Sequence, residues 1–440
     1  MAKNFITFVA NNSSMNELKV LVSAYACNPV GSLQLHPGED ITGWRLVEQL
    51  SKNHKVWVIT HSYNRDGVKK ALAQGFASGI HFCFINLPSP FGLLYKVEFG
   101  QRIYYYLWQI LAWKTARKLH RKFHFDLFHH LTFGNYWMPS FIGALLPIPF
   151  IWGPIGGGQK TPKQLQREYS LYGRFAERVR TMAQWIGRNE YFRRRCLKKA
   201  RAILVCNRET KLRIPEKNKI YYFPVNGVSL DDINPESNGK IPKSTFRVLT
   251  AGRFHRLKGF ALAIRSFKIF AEKFPNSEFI IVGKGPEESY LKELVESLRL
   301  QSKIQFFPWL SREKLLSKMR SSHVFLFPSF RDGGGGVVVE AMASGTPVIC
   351  LDTAGPGFHV QEKWGIKIKP KDSGYIITEM AKALETLYLN EHLRMNMGIS
   401  GCKRAAEFYL WDRLGERMQD IYQDVLDDER SGVETAKPRD

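Results

Sequence analysis

One stretch, Val324 to Pro356 (VFLFPSFRDGGGGVVVEAMASGTPVICLDTAGP), leaves this chain few folds to choose from. It opens on the apolar run Val324–Phe327, which suits a parallel strand covered on both faces. Pro328 and a polar turn follow, then four consecutive glycines, Gly333 to Gly336. Val337–Ser344 can continue as a helix, stopped by Gly345, and a second apolar run, Val348–Leu351, closes the unit. Strand, glycine loop, helix, strand is a βαβ element, and ligands of such elements bind beyond the carboxyl ends of the strands. Glycines let the backbone approach a ligand closely, and a helix N-terminus offers unpaired N–H groups to an anion. Asp332 stands before the loop and Glu340 one or two turns into the helix. A phosphate held by loop amides, with hydroxyl groups on the two carboxylates, describes a nucleotide sugar. A glycine-rich turn opening a helix can also be only a turn, but four glycines framed by two spaced carboxylates favour a ligand.

The remaining chain offers more strands and helices of the same kind. Lys19–Ala24, Val56–Thr60, Phe82–Leu87, Asp126–His130, Phe150–Gly158 and Ala202–Cys206 read as strands of a first sheet, with helices over Thr42–Lys52 and Phe99–His120 between them. Pro224–Thr245, rich in Pro, Gly, Asn and Ser, marks a linker. A second series follows: strands Phe246–Ala251, Glu278–Val282 and Ile304–Phe307, helices Phe260–Phe274, Glu288–Leu298 and Arg312–Arg320, then the glycine-loop unit. Helices over Ala381–Asn390, Ser400–Phe408 and Trp411–Leu426 end the pattern. The predicted fold is α/β, two Rossmann-like domains facing each other across a cleft. The expected boundaries are 1–225 (with 1–18 flexible), 226–408, a helix over 409–427 crossing back to the first domain, and a disordered tail over 428–440.

At 440 residues the chain can build about two to three domains. Six scattered cysteines with no CxxC pair argue against a disulfide framework or a zinc ribbon. The first residues lack the long apolar region of a signal peptide, and no run approaches the roughly 20 apolar residues of a membrane span, so a cytoplasmic protein is expected. The net charge of +24 implies a polyanionic partner. From Lys160 to Lys219 there are 18 Lys/Arg against 5 Glu and no Asp. A helix expected over Gln184–Ala200 sets Trp185, Ile186, Tyr191 and Phe192 among six basic residues, a pattern suited to an anionic membrane surface or to a solvated face packed on its own domain. The aromatic run Tyr104–Trp108 is read as core in preference to a lipid-facing patch. His129 and His130 end a strand, where ligands of such sheets bind.

The motifs GRFHRLKG (Gly252–Gly259), VGKGPE (Val282–Glu287) and FPSFRDGGGGVVVEAMASGTPVI (Phe327–Ile349) resemble those of a family 4 glycosyltransferase of the GT-B fold, group 1 type. SAYACNP (Ser23–Pro29), FHHLTFGNYWMPSF (Phe128–Phe141) and WGPIGGG (Trp152–Gly158) are similar to its bacterial exopolysaccharide branch. The resemblance spans roughly Lys19 to Leu426. It implies that Arg253 and Lys258 neutralise the donor diphosphate, Arg as a fork and Lys as a point charge. It places Glu340 on the donor ribose and Asp332 near the donor sugar; Asp332 stands where the family carries Glu, one methylene longer. Gly283, Gly285, Gly333, Gly334, Gly335, Gly336 and Val337 complete the implied donor-binding set, and Gly31 and Gly38 lie on the acceptor-side loop that nears the phosphates. His130, and after it His129, is the candidate beside the anomeric centre.

The resemblance further implies transfer with retention of configuration, in surface polysaccharide synthesis, onto a saccharide or lipid-linked saccharide. No cofactor and no required metal are expected, and no nucleic-acid partner. An anionic membrane surface, met through residues 160–219, would place the chain peripherally on the inner face of the cytoplasmic membrane. Two alternatives are a nucleotide-sugar epimerase on the same fold and a non-catalytic nucleotide-sugar-binding partner subunit. The first βα loop lacks GxGxxG, which disfavours an oxidoreductase.

Overall fold

The computed structural model describes residues 17–30, 37–75, 79–89, 91–96, 98–169, 171–234 and 245–434. The first sheet contains β1 (Lys19–Ser23), β2 (Lys55–His61), β3 (Ile80–Ile85), β4 (Leu127–His130), β5 (Phe150–Ile155), β6 (Ala200–Val205) and β7 (Ile220–Tyr222). All pairings are parallel, in the order β3-β2-β1-β4-β5-β6-β7. The second sheet contains β8 (Phe246–Ala251), β9 (Ser277–Val282), β10 (Ile304–Phe307), β11 (Val324–Phe327), β12 (Val348–Leu351) and β13 (Gly365–Ile368). It too is parallel throughout, in the order β10-β9-β8-β11-β12-β13. Both sheets are doubly wound, as expected. The strand order reverses between β1 and β4 in one sheet and between β8 and β11 in the other. Crevices at such reversals are where open α/β sheets bind ligands.

Apolar runs such as VFLF of β11 are buried along their whole length, because helices cover both faces of each sheet. In the first domain, the helix Glu98–Phe123 buries Tyr104, Tyr105 and Trp108 in one core. The aromatic run is therefore core. On the opposite face, helix Pro37–Ser51 shares a core with the last helix, Trp411–Glu434, through Trp411, Leu414, Met418, Ile421, Tyr422 and Val425. The chain thus returns to the domain it started from. This helix continues beyond 427 to Glu434, into the segment expected to be a disordered tail. Ion pairs of Lys219 with Asp424 and Asp428, both 2.9 Å, and of Arg201 with Glu429 hold the added turns. Residues 1–16 and 435–440 lie outside the described residues.

The expected single helix over Gln184–Ala200 is two helices, Leu171–Asn189 and Tyr191–Lys199. Glu190 is extended at the break and caps the second helix, accepting from the Arg193 N–H at 2.6 Å. The two crossings between the domains lie side by side. The Val228 N–H donates to Tyr409 O at 2.8 Å, and the Trp411 N–H donates to Val228 O at 3.1 Å. Gly227 packs so closely on the Trp411 ring that a Cβ there would lie 2.6 Å from it.

Candidate active site

The reversal points of the two sheets face each other. Between them lies a cavity of about 380 Å³, lined on one side by Gly38, Glu39, Leu131, Thr132, Pro154 and Asn226 and on the other by Asp332 and Gly333–Gly336. The glycine run is explained by what the loop touches. A Cβ on Gly334 would lie 2.6 Å from Val225 Cγ2, and one on Gly336 would lie 2.7 Å from the Asn226 side chain. Gly335 has φ of +60°, the left-handed conformation that caps helix Gly336–Ala343. The loop of the second domain is thus pressed against the first. Asn207 Nδ2 donates to Gly333 O at 3.0 Å, and the Ala354 N–H donates to Glu209 Oε1 at 2.8 Å across the same seam.

Asp332 and Lys258 meet here, but each on the other. Lys258 Nζ is bonded to Asp332 Oδ2, while Oδ1 accepts from the N–H groups of Gly335 (2.8 Å) and Gly334 (3.2 Å). Burial pushes the Asp332 carboxyl up. The Lys258 charge and hydrogen bond and the two amides outweigh it and hold the group below its usual value. The carboxylate therefore draws on the cation and amides that the family resemblance assigns to a donor diphosphate. Glu340 is likewise engaged: Arg312 Nε donates to its Oε1 at 2.9 Å, and the same guanidinium forks onto Asp232 at 2.9 and 2.7 Å. Burial raises the Glu340 carboxyl against the pull of Arg312.

Arg253 is exposed on the loop after β8. Gly283 and Gly285 do not line the cavity; they let the loop after β9 lie against the backbone of Gly252 and Phe254, where a side chain would collide. They position the Arg253–Lys258 loop from behind. Val337 is half-buried in the first turn of the glycine-loop helix. Gly38 lines the cavity, and Gly31 lies outside the described residues.

The two histidines point to opposite faces of β4, as alternation requires. His129 is buried; its Nε2 donates to Gly153 O at 2.6 Å and its Nδ1 accepts from the Tyr422 hydroxyl at 2.8 Å. His130 is buried with Nε2 3.2 Å from the Tyr105 hydroxyl, and its Nδ1 has no partner. Burial lowers both, to about 4 and about 3, so each is neutral near pH 7. Neither lines the cavity.

Two groups escaped the sequence reading. Glu39 lines the cavity at the start of helix Pro37–Ser51 and accepts from the Phe133 N–H at 2.5 Å. Burial pushes its carboxyl up to about 7, against that N–H and with the help of Asp40. His359 supports the glycine loop from below: its Nε2 donates to Gly334 O and its Nδ1 accepts from the Tyr409 hydroxyl, both at 2.7 Å. Within HPGED no sequence pattern sets Glu39 apart, and no motif surrounds His359. Among the described residues no cluster of three or more His, Cys, Asp or Glu could hold a metal ion, and no helix is long and apolar enough to cross a membrane.

Residues 233–404 match the family profile described as Glycosyl transferases group 1. An uncharacterised glycosyltransferase of Haemophilus influenzae is 29% identical over 215 residues, 46% of this chain and 58% of that protein. The D-inositol 3-phosphate glycosyltransferase of Corynebacterium diphtheriae is 29% identical over 193 residues, 42% of this chain and 44% of that protein. The chain thus spans about half the length of the curated relatives it matches. Among solved structures, sucrose-phosphate synthase from Thermosynechococcus elongatus superposes with a TM-score of 0.64 at 17% identity, covering 93% of this chain and 99% of that one. Anabaena HepE in complex with UDP and glucose superposes with a TM-score of 0.58 at 16% identity, covering 93% and 100%. The chain is therefore a two-domain GT-B fold whose second domain carries the group 1 glycosyl transferase sequence pattern.

Proposed function

We propose that this protein is a retaining glycosyltransferase of family 4 that moves a sugar from a nucleotide-sugar donor to a saccharide or lipid-linked saccharide in bacterial surface polysaccharide synthesis. One observation carries the reading: the loop Asp332–Gly336, with Lys258 bonded to its carboxylate, stands at the reversal point of the second sheet and faces that of the first across one cavity. The likeness of residues 233–404 to group 1 glycosyl transferases supports it, as does the likeness in fold to a protein whose structure holds UDP and glucose.

In this mechanism an acceptor hydroxyl oxygen bonds to the anomeric carbon while the bond from that carbon to the diphosphate oxygen breaks. The acceptor proton passes to the departing phosphate, and the new bond forms on the face the phosphate leaves. Negative charge grows on the leaving diphosphate, so Lys258, Arg253 and the loop amides act as preorganised donors aimed at it. The reaction then requires no bound metal ion. Lys258 exchanges Asp332 for phosphate as the donor enters, and Asp332 becomes free to accept from a sugar hydroxyl. Glu340 accepts from the ribose hydroxyls while Arg312 holds it in place. His130 and His129 hold the first-domain wall of the cleft. The paired crossings at Val228 and Tyr409–Trp411 form the hinge on which the cleft closes.

The test is incubation of the full chain with a panel of nucleotide sugars and a saccharide-lipid extract, followed by mass spectrometry and anomeric proton spectra of the product. Sugar addition with the donor's configuration kept supports the reading. Interconversion of nucleotide sugars without an acceptor, or no reaction with any donor, overturns it.

A further inference from the structure

The helix Leu171–Asn189 is tied down on one face and bare on the other. On the inner face, buried Gln184 donates to Gly157 O at 3.0 Å and Arg180 donates to Gln159 O at 3.1 Å. Glu177 pairs with Arg180 at 3.0 Å and, across the domain seam, with Arg331 at 2.5 Å; these three side chains are 11–16% exposed. A Cβ on Gly187 would lie 2.8 Å from the Trp137 ring. These contacts fix the helix about its own axis and leave its other face outward.

That outward face is apolar. Phe175 is 63% exposed, Met182 60%, Trp185 65% and Ile186 57%, and Tyr191, just past the helix end, is 64% exposed. Residues 175, 182 and 186 are spaced seven and four apart and form one strip, with Trp185 at its side. Exposed Arg174 and Arg178 flank it. Arg174, Arg178, Met182 and Trp185 also line an open groove of about 510 Å³. The strip therefore does not pack on its own domain, which was the alternative open at the level of sequence.

We propose that this strip is a docking surface for an anionic lipid bilayer. Its large apolar side chains would enter the boundary between headgroups and acyl chains, and the flanking guanidinium groups would bond the lipid phosphates. Charge selects this occupant over a second copy of the chain. With 18 Lys/Arg against 5 Glu between Lys160 and Lys219, two such strips would repel on approach. The proposal rests on no step of sugar transfer, so its failure leaves the transfer reading standing.

The experiment is flotation of the full chain with vesicles of phosphatidylcholine alone and of phosphatidylcholine mixed with phosphatidylglycerol, without any sugar donor. The chain is expected to float with the mixed vesicles and to be released by salt. Trp185→Ser combined with Ile186→Ser is expected to weaken binding about tenfold or more, as is Arg174→Gln combined with Arg178→Gln at about 1 kcal/mol per arginine near the surface. Unchanged melting curves of the variants would show that they fold. The proposal is overturned by no flotation of the unsubstituted chain, by equal flotation with phosphatidylcholine alone, or by flotation of the Trp185/Ile186 variant equal to that of the unsubstituted chain. It is also overturned if sedimentation shows a dimer that the same variant abolishes.

Discussion

Lys258→Ala tests the electrostatics at the centre of the site through stability alone. In the folded protein the Lys258 charge and the amides of Gly335 and Gly334 hold Asp332 below its usual value against burial. The two side chains are 25% and 16% exposed, so water screens their attraction only in part. Removing one partner from such a pair costs about 3–5 kcal/mol. Both amide bonds to Oδ1 survive the substitution, so the lower end, about 3 kcal/mol, is expected. At roughly 2–4 °C per kcal/mol for a domain of this size, melting should fall by about 6–12 °C at neutral pH. The effect has a definite pH dependence. A carboxylate with a depressed folded pKa contributes stability that is present above its unfolded value and lost as pH falls through the folded one. Without Lys258 the burial effect is less opposed, the Asp332 carboxyl titrates higher, and the variant recovers as that group takes up a proton. The gap between the two proteins should be widest near pH 7 and narrow as pH falls through about 4, the ordinary carboxylate range. Circular dichroism melts at a series of pH values measure this directly. A gap of constant size across that range, or no gap at neutral pH, would show that the Lys258–Asp332 pair does not carry this stability.

Three further outcomes are expected. Glu39, pushed up to about 7 chiefly by burial, costs stability above its unfolded pKa. Glu39→Gln should therefore raise stability at pH 7 by about 2 kcal/mol, after allowing for partial exposure, with the gain vanishing near pH 4; melts across that range would check it. Tyr422→Phe removes the donor to buried His129 and should cost about 1–3 kcal/mol with nucleotide affinity unchanged, since neither side chain lines the cavity. Calorimetric titration and a melt together test that separation. Gly334→Ala would set a methyl group 2.6 Å from Val225 Cγ2, costing roughly 1–3 kcal/mol and pushing the loop off the first domain. A variant as stable as the unsubstituted chain, with equal nucleotide affinity, would show that Gly334 is not pressed against Val225.

The fold was legible where apolar runs were long and bounded. Val324–Phe327 and Val348–Leu351 announced buried parallel strands, and the glycines between them marked the ligand loop. The edge strands β7 and β13 were not foreseen, because IYY and GIKI are short and partly exposed, so their residues carry little pattern. The candidate site was legible in composition and less so in pairing. That Lys258 and Asp332 matter could be read from motifs; that they bind each other could not, since 74 residues separate them. Glu340 is steadied by Arg312, and Arg312 by Asp232 in the linker, a chain of contacts that only the folded second domain assembles. The histidines show the same limit most clearly. Their place at the end of β4 was readable, but His129 is held by Tyr422, 293 residues away, on a helix that returns from the far end of the chain.

If the proposal holds, a nucleoside diphosphate binds at the glycine loop with Lys258 and Glu340, which adjoin the cavity through Asp332 and through the helix that starts at Gly336 but do not themselves line it. Calorimetric titration of the unsubstituted chain with UDP, GDP, ADP and TDP, beside Lys258→Ala and Glu340→Ala, tests it most directly. The account predicts that one of these nucleotides binds at about micromolar level and that each substitution weakens it roughly tenfold or more, the loss of one charged hydrogen bond. Binding of none of them, or equal binding by all three proteins, would contradict it.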